Sequence, residues 1–473
     1  MVKKIVLVFS LLSLLINPLI ITASANSAQS WWRGTDSSGV IVTDGSCPVI
    51  VKNEVLTFNI DAFPETYYRS AQDMENYGAS VTAQYTFYNP SDMDVTARLL
   101  FPFGEKPMYF DDYYDNDKNE YVSFNDTAKY EIIADGVPIE KKLRYTLNTG
   151  KFNVSEALSK IKDEFTEDSF YYPEMSVMKY TFTASGIDTE KYNASTAGFD
   201  IDITETEARY YFVDQSGFHT QGDNIGRLSN RVENGDKITV YVIGNTARPF
   251  PEWHFYKDGG AEDREKIDGR MTVTDKEEMT FYELVFSGFD ENSGIPEADW
   301  YNATVESLNS EKYMSGAQMA LDIEDKLLRW YEYEITVPAK AELINTVNAP
   351  LYPEIDASFS PAVFDYTYLL SPAKTWKEFG KLDIIINTPY FLTESEFFSF
   401  EATEKGYRLS LDGLPDNELT FRLSSSEFPE RPQKHIRDII PVEIIISFSV
   451  ITAVIVLIIA LAVILIKLKK RKS

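Results

Sequence analysis

Residues 80–104 read SVTAQYTFYNPSDMDVTARLLFPFG, and this stretch decides the fold class. In its first nine residues, apolar side chains alternate with Thr and Gln, which is the two-residue period of a β-strand with one buried face. The alternation resumes at Val95, after the turn sequence NPSD at 89–92. The pattern predicts a pair of adjacent antiparallel strands at the start of a β-rich protein.

Similar strand signals recur along the rest of the chain. The dipeptide Asp135-Gly136 supplies the positive φ values of a tight hairpin, and Pro138 behind it indicates an edge strand. A second hairpin is predicted at Asp412-Gly413, between strands that contain Leu409 and Phe421. We therefore predict a mostly β protein with two or three β-sandwich-like modules and a few short helices.

Two segments have helical periodicity instead. Asn153 can cap a helix that ends near Thr166 and carries an apolar stripe along one face. This helix is expected to be a docking helix or a lid. Residues 298–328 show a second, mixed helical pattern.

Changes of composition along the chain predict its division into segments. The predicted segments are a signal peptide at 1–25, a β-sandwich-like region at 26–290 with two modules split near 150–200, a helix-containing β module at 291–423, a stalk at 424–441, a transmembrane helix at 444–466 and a basic tail at 467–473. The sequence contains no tandem repeat of fixed period, which argues against a solenoid or a propeller.

The two ends of the chain predict where the protein works. A basic start, an apolar run and the tripeptide Ala23-Ser24-Ala25 follow one another as in a cleavable export signal. Residues 444–466 carry no charge, and at ~1.5 Å per residue a helix of this length crosses a hydrocarbon core of about 30 Å. The basic tail behind it is kept cytoplasmic by the positive-inside rule. We expect a single-pass protein of the cell membrane, with its N-terminal part outside and the helix in contact with membrane lipid.

Composition limits the classes of partner and the means of stabilisation. The 473 residues include 73 Asp and Glu against 45 Lys and Arg, which gives a formal net charge of −28. Such a surface repels nucleic acid, so no nucleic-acid partner is expected. Cys47 is the only cysteine, so the exterior has no intramolecular disulfide. We expect a passive buried thiol, with an intermolecular bridge or a reactive group as the alternatives.

The best local site signal is the acidic stretch at 111–120, which a calcium loop beginning at Asp115 would extend to Asp126. Its candidate calcium ligands are Asp115, Asp117, Asn119 and Asp126. The first three match the spacing of oxygen ligands in a calcium loop, but Glu120 stands where an EF-hand loop has Gly. The alternative is a solvated acidic loop at the rim of a sheet. No other cofactor is predicted.

Catalytic motifs are missing from the sequence. His219, His254 and His435 lie far apart, and none has the spacing of a metal-ligand pair. The sequence also lacks a G-x-S-x-G motif and a glycine-rich phosphate loop between a strand and a helix. No catalytic residue is therefore predicted. Two carboxylates that are distant in sequence could still form a glycosidase site, so an exported hydrolase is kept as an alternative.

Several short motifs resemble known exported proteins. The motifs are YTFYNP at 85–90, LFPF at 100–103, Asp135-Gly136, LLSPAKTW at 369–376 and Thr388-Pro389-Tyr390. The first three resemble the β-sandwich of vault and inter-alpha-trypsin-type domains. The whole layout is similar to uncharacterised bacterial exported, membrane-anchored proteins with a mostly β exterior. The resemblance implies a fold class and a location, and it carries over no functional residue.

Taken together, these signals favour a non-catalytic binding or structural component of the bacterial envelope. Its acidic β exterior would be displayed outside the cell membrane and would contact a protein or a carbohydrate ligand there. The alternatives are the exported hydrolase and an accessory subunit of a membrane complex.

Overall fold

The computed structural model describes most of the chain between Ser30 and Arg431. The described ranges are 30–66, 77–104, 107–109, 113–115, 120–122, 126–148, 154–192, 194–213, 215–222, 224–257, 265–291, 293–311 and 323–431. Within them the protein is mostly β, as predicted. The predicted signal peptide and transmembrane helix lie outside the described residues. No helix in the described ranges is long and apolar enough to cross a membrane.

The elements fall into three consecutive groups along the chain. The first group is β1 Trp31–Trp32, β2 Ser37–Ser38, β3 Ile41–Val42, β4 Ile50–Asn59, β5 Ser80–Tyr88, β6 Val95–Gly104, β7 Tyr113–Asp115, β8 Glu120–Val122, β9 Glu131–Ala134, β10 Val137–Pro138 and β11 Lys142–Leu147. The second group is α1 Val154–Lys160, β12 Ser176–Ser185, β13 Ser195–Asp202, β14 Ala208–Phe212, β15 Gly217–Gln221, β16 Ile225–Val232, β17 Lys237–Gly244, β18 Trp253–Lys257, β19 Lys266–Ile267, β20 Arg270–Thr280, α2 Phe281–Phe286 and α3 Glu297–Glu311. The third group is β21 Leu327–Val337, β22 Glu342–Pro350, β23 Glu354–Asp356, β24 Val363–Leu369, β25 Phe379–Asn387, β26 Phe391–Glu394, β27 Glu401–Thr403, β28 Gly406–Asp412 and β29 Leu419–Ser424.

Strands of the first and third groups form three sheets together, which we call the β platform. Sheet I has the order β10-β9-β22-β5-β4-β25-β28-β27, and its β4–β25 pair is parallel. Sheet II has the order β1-β23-β24-β29-β26, with β2 pairing to β24. Sheet III has the order β11-β21-β6-β3. The first and third groups of strands therefore build one structure.

The core of the β platform lies between sheet I and the other two sheets. Phe58 of sheet I contacts Phe421 of sheet II, with ring centroids 5.2 Å apart. On the other side, Tyr333 of sheet III donates a hydrogen bond of 2.8 Å to Asn345 of sheet I. Both contacts belong to one cluster of buried side chains that draws on all three sheets. Burial of this apolar surface is the main term that stabilises the arrangement.

The second group of elements forms a separate β-sandwich, which we call the insert together with its helices. Sheet IV has the order β14-β17-β12-β20, and sheet V has the order β15-β16-β13-β18-β19. The two sheets pack face to face, since Phe182 of sheet IV lies 5.2 Å from Trp253 of sheet V and Phe212 lies 5.8 Å from Phe199 between ring centroids. The insert thus has an aromatic core of its own.

A helical layer joins the insert to the β platform. Helix α2 begins at a capping box, in which Thr280 and Glu283 satisfy each other's backbone N–H groups. The apolar faces of α2 and α3 share one buried cluster with the outer face of sheet IV and with Leu147 and Leu327 at the ends of β11 and β21. The helices therefore fill the space between the two β structures.

The predicted division of the chain does not follow the sheets. A boundary near residue 290 separates 291–423 from the N-terminal strands, whereas the structure pairs β21 with β6 and β22 with β5. Strand β11 pairs with β21 through Leu147 opposite Leu327, so the insert leaves and rejoins the β platform at neighbouring points. Local strand patterns cannot show such long-range pairing, because they report only which side of each strand is buried.

The structure confirms one of the predicted strand pairings and contradicts two. The Asp135-Gly136 hairpin is confirmed, with φ values of 45° and 80°, and Pro138 lies in the edge strand β10 as predicted. The hairpin predicted at Asp412-Gly413 is wrong, and so is the predicted pairing of the two strands that flank 89–92. Strands β5 and β6 lie in sheets I and III, and β28 and β29 lie in sheets I and II. In both places the short turn carries the chain from one layer of the β platform to the other.

The first predicted helix is shorter than its apolar stripe. Helix α1 ends at Lys160, and Ile161 and Phe165 belong to the segment that follows it. Ile161 nevertheless packs against Trp330 in a small buried cluster, and Phe165 stacks on Tyr301 with ring centroids 4.4 Å apart. Helix α3 covers the first part of the predicted helical segment at 298–328, whereas the last two residues of that segment belong to β21. Cys47 is buried, as expected.

Candidate functional site

A cleft lies where the insert meets the β platform. It encloses about 280 Å³ and is bordered by β11, by α1 with the loop that follows it, and by α3. We call it the junction cleft. The polar side chains that line the junction cleft include Ser159, Lys160, Asp168, Asn302, Glu306 and Asn309.

The base of the junction cleft is held by a buried arginine. The side chain of Arg144 is 0% exposed, and its Nε and Nη2 donate to Asp299 of α3 at 2.9 Å each. Its Nη1 donates to Glu332 at 2.7 Å and to Asp163 at 3.1 Å, while Nη2 also donates to the Lys162 carbonyl at 2.7 Å. All three guanidinium nitrogens are therefore used, and one side chain ties β11, β21, α3 and the loop after α1 together.

The protonation states of this network follow from its contacts. Burial by itself lowers the pKa of Arg144, but hydrogen bonds and charges from Asp299 and Glu332 outweigh burial and raise it. Burial by itself raises the pKa of Glu332, but hydrogen bonds from Arg98 and Arg144 lower it below its ordinary value. Asp299 also accepts a backbone hydrogen bond of 2.9 Å from Tyr145. The network is thus a set of paired charges, which is the condition under which buried charges are tolerated.

A second ion network joins the two helices that border the junction cleft. The Nζ of Lys160 in α1 lies 2.9 Å from Glu156 and 2.6 Å from Glu306 of α3. Burial lowers the pKa of Lys160, but hydrogen bonds to Glu306 and Glu156 raise it overall. The helix α1 is thereby fixed to α3 across the cleft.

The third wall is the loop between α1 and β12, within the insert. Asp168 accepts hydrogen bonds from the backbone of Phe170 at 2.8 Å and of Tyr171 at 2.9 Å, and from Asn309 of α3 at 2.9 Å. Arg209 donates to the same Asn309 at 2.9 Å and lies over the Phe170 ring, 4.2 Å from its centroid. Burial raises the pKa of Asp168, but the hydrogen bonds outweigh it and lower the pKa.

Asn302 completes this wall one turn before Glu306 on α3. Its Oδ1 accepts a hydrogen bond of 2.6 Å from the backbone of Thr166, and its Nδ2 donates to the Glu164 carbonyl at 3.1 Å. Both polar ends of a buried amide are therefore satisfied by the loop. The walls of the junction cleft are held in place before any ligand enters.

The charged side chains of the junction cleft are held by neighbouring groups. Asp168 accepts three N–H hydrogen bonds, and Asp299 is paired with Arg144, although burial raises the pKa of Asp299 above its ordinary value. Positive charge from Lys160 and negative charge from Glu306 face the same space. A pocket of roughly 300 Å³ with fixed polar groups is at the small end of the range for ligand sites.

The predicted calcium ligands are only partly described. Asp115 lies in β7, which pairs with β8, whereas Asp117 and Asn119 lie outside the described residues. Asp126 is buried, and it accepts hydrogen bonds from Arg329 at 2.6 Å and from Tyr130 at 3.3 Å. Both of its oxygens are thus already used by the β platform. Among the described residues, no group of three or more His, Cys, Asp or Glu is placed to hold a metal ion. The calcium site stays a prediction.

Sequence reasoning did not find the residues of the junction cleft. Arg144 and Asp299 are 155 positions apart, so no local spacing links them. The pair Glu156 and Lys160 does carry a local signal, because residues four apart lie on the same side of a helix. That signal marks an ion pair and says nothing about the cleft beside it.

Comparisons with known proteins give little further information. No protein family matches this chain, and no curated protein matches it in sequence. Among solved structures, a Legionella pneumophila protein provisionally named a nutrient binding protein matches 84% of this chain and 72% of its own, at 8% identity and a TM-score of 0.29. The function therefore has to be argued from the site.

Proposed function

We propose that this chain is a non-catalytic binding component of the bacterial cell envelope and that its ligand occupies the junction cleft. The observation that carries the proposal is the preformed cleft itself, whose three walls are fixed by the contacts of Arg144, Lys160 and Asp168. A site whose polar groups are already ordered loses little conformational entropy when a ligand enters, which favours affinity. The exported hydrolase of the sequence analysis has no such observation in its favour.

The chemistry of the walls defines the class of ligand. The cleft is lined by two lysines, three carboxylates and two amides within about 280 Å³. A small polar molecule that carries both a negative and a positive group, or several hydroxyl groups, complements this set. Free amino acids and monosaccharides are the simplest molecules of these kinds.

The proposal also includes the location predicted from the sequence. An export signal at 1–25 and a membrane helix at 444–466 would place the two-sandwich exterior outside the membrane, with the basic tail in the cytoplasm. Substituting both Ile455 and Ile458 by Asp places two charges in the middle of the predicted helix, where each costs about 3 kcal/mol. We expect the full-length protein to stay with membranes after an alkaline carbonate wash and the double variant to be released. Equal retention of the two proteins would contradict the anchor.

Two matched substitutions test the ligand site. Ser159 of α1 and Ser310 of α3 are both exposed helix residues whose hydroxyl donates to the carbonyl three residues earlier, at 2.7 Å and 2.9 Å. Only Ser159 lines the cleft. Ser159→Trp should fill the cleft entrance, whereas Ser310→Trp adds the same ring outside it.

The measurement is a thermal shift of each protein with amino acids and monosaccharides at millimolar concentration. Because a ligand that binds only the folded state stabilises it, a binding probe should raise the Tm of the wild type and of Ser310→Trp. The same probe should leave the Tm of Ser159→Trp unchanged. A shift that survives in Ser159→Trp, or a panel in which no probe shifts the wild type, counts against the junction cleft as the binding site.

A further inference from the structure

One end of sheet II gathers several chain segments. Trp31 of β1 lies opposite Asp356 of β23, and Asp356 lies opposite Val363 of β24. Val363 in turn lies opposite Ser424 of β29, and Ser424 lies opposite Phe391 of β26. These five residues therefore form a row across the sheet, at the end where β29 finishes.

Large aromatic side chains are exposed to solvent at this end of sheet II. Phe428, just beyond β29, is 77% exposed, and Phe391 and Trp31 are each 43% exposed. In the loop between β23 and β24, the Phe359 ring lies under the guanidinium of Arg431, whose Cζ is 4.5 Å from the ring centroid. We call this set, with the loops at 357–361 and 425–431, the aromatic end. Several large apolar side chains are thus exposed at the same end of sheet II.

Both termini of the described chain also meet the aromatic end. The Ser30 carbonyl accepts a hydrogen bond of 2.8 Å from Ala357, and Ser360 exchanges backbone hydrogen bonds of 2.8 Å and 3.3 Å with Glu430. The chain leaves after Arg431, and the predicted membrane helix starts at 444. The intervening residues 432–443 can span at most about 40 Å at ~3.3 Å per residue.

We infer that the aromatic end docks on the surface of a lipid bilayer, with Phe428 and Phe391 in the interfacial layer. The inference rests on the proposed membrane anchor, which keeps this end within a short chain length of the lipid. Phe side chains of proteins that lie on a membrane are buried at the boundary between headgroups and acyl chains, because their rings are apolar. Docking would orient the β platform on the membrane, which a short linker alone does not do.

The charged side chains at the aromatic end determine which lipid headgroups suit it. Beside the exposed rings lie Glu427 and Glu430, both exposed, and Asp356, which pairs with Arg431 at 3.4 Å. The surplus of acidic groups repels an anionic surface, so the aromatic end suits a zwitterionic bilayer. Vesicles of phosphatidylcholine are therefore the probe.

The structure supplies a matched control for this contact. Phe397 is 66% exposed, and it lies at the opposite end of sheet II, next to Ser395, whose hydroxyl lies 3.4 Å from the Thr420 carbonyl. Along β29, Thr420 and Ser424 are roughly 14 Å apart. The variants Phe428→Trp and Phe397→Trp thus place the same exposed ring at the two ends, in full-length protein reconstituted into vesicles.

The measurement is tryptophan fluorescence with and without brominated phosphatidylcholine, which quenches rings in contact with its acyl chains. After subtraction of the wild-type signal, the added ring at 428 should be quenched at least about twofold more than the ring at 397. Equal quenching of the two rings, in protein that floats with the vesicles, overturns the docking and leaves the anchor intact. Protein that does not float with the vesicles overturns the proposed anchor and the docking with it.

Discussion

Glu54 is a carboxyl group in the middle of the β platform core. It is 0% exposed, and Tyr368 from the facing sheet donates a hydrogen bond to its Oε1 at 3.3 Å. Its Oε2 has no hydrogen-bond partner among the described residues. The Tyr85 hydroxyl lies 3.4 Å from that of Tyr368 and accepts a hydrogen bond of 3.1 Å from the backbone of Val40. Burial raises the pKa of Glu54 to about 7, because a charge there loses its water and gains no cation.

This environment predicts that the contribution of Glu54 to stability falls as pH rises. The folded protein keeps a proton on Glu54 between the ordinary pKa of 4.5 and the folded value of about 7, where the unfolded chain has lost it. The contribution of Glu54 to the free energy of unfolding is therefore full below pH 4.5 and declines up to about pH 7, by about 3 kcal/mol in total. Glu54→Gln cannot ionise, so its stability relative to the wild type should grow over the same range and then level off.

Denaturant unfolding of the detergent-solubilised protein at several pH values measures this difference. Glu401→Gln is the control, because it removes an exposed carboxylate at the rim of the same sheet. The control should follow the wild type at every pH. If Glu54→Gln also follows the wild type above pH 7, the buried carboxyl group is not what sets the pH dependence.

At the scale of elements, the sequence predicted the strands better than their neighbours. The pattern around 89–92 predicts two adjacent antiparallel strands, but in the structure the buried Asn89 donates to the carbonyls of Met93 at 2.8 Å and Val337 at 2.9 Å. These bonds fix an arch that carries the chain from sheet I to sheet III. The alternation in β5 and β6 shows that each strand has one buried face. Two neighbouring strands of one sheet and two strands of facing sheets give the same alternation, so the pattern does not distinguish them.

The same limit explains why the junction cleft escaped the sequence analysis. Lys160 and Glu156 could be read as an ion pair on a helix, because their spacing is local. Glu306 and Arg144 reach the site only through the packing of α3 against β11, which brings together segments more than 150 residues apart. Charged residues on an amphipathic helix usually face solvent, so their burial at a junction has no local signature.

The link between β11 and α3 makes a further prediction. Replacing Arg144 by Met leaves Asp299 buried without its cation, and breaking a buried ion pair in this way costs about 3–5 kcal/mol. We expect a loss of that size in the free energy of unfolding of Arg144→Met. The double variant with Asp299→Asn should recover part of it, because the uncompensated charge is then removed.

Arg422 provides the matched control for this substitution. It pairs with Asp365 and Glu394 across sheet II, but its side chain is 45% exposed. Exposed ion pairs contribute about 0–1 kcal/mol, so Arg422→Met should change stability little. Similar losses for Arg422→Met and Arg144→Met would show that the buried network has no special role in joining the insert to the β platform.

At the scale of the whole molecule, the insert interrupts a structure that is complete without it. Among the described residues of 149–326, none belongs to the buried cluster between sheets I, II and III. The two points of attachment are neighbours, since the Asn148 N–H donates to the Lys326 carbonyl at 2.8 Å. A two-residue Asn-Gly turn has the geometry to close an antiparallel pair at such a point. The β platform should therefore fold when such a turn replaces residues 149–325.

This prediction separates the observed organisation from the one expected from sequence. The shortened protein should show a single cooperative unfolding transition, at lower stability because Trp330 loses its contact with Ile161. The fragment 291–423 contains the module predicted from the sequence but lacks β4, β5 and β6, so its strands would expose unpaired edges and an open core. We expect that fragment to remain unfolded by circular dichroism and to show no transition in denaturant. Two outcomes would contradict this account: a cooperative transition in the fragment, or no cooperative transition in the shortened protein. Either would mean that pairing between the first and third groups of strands does not hold the β platform together.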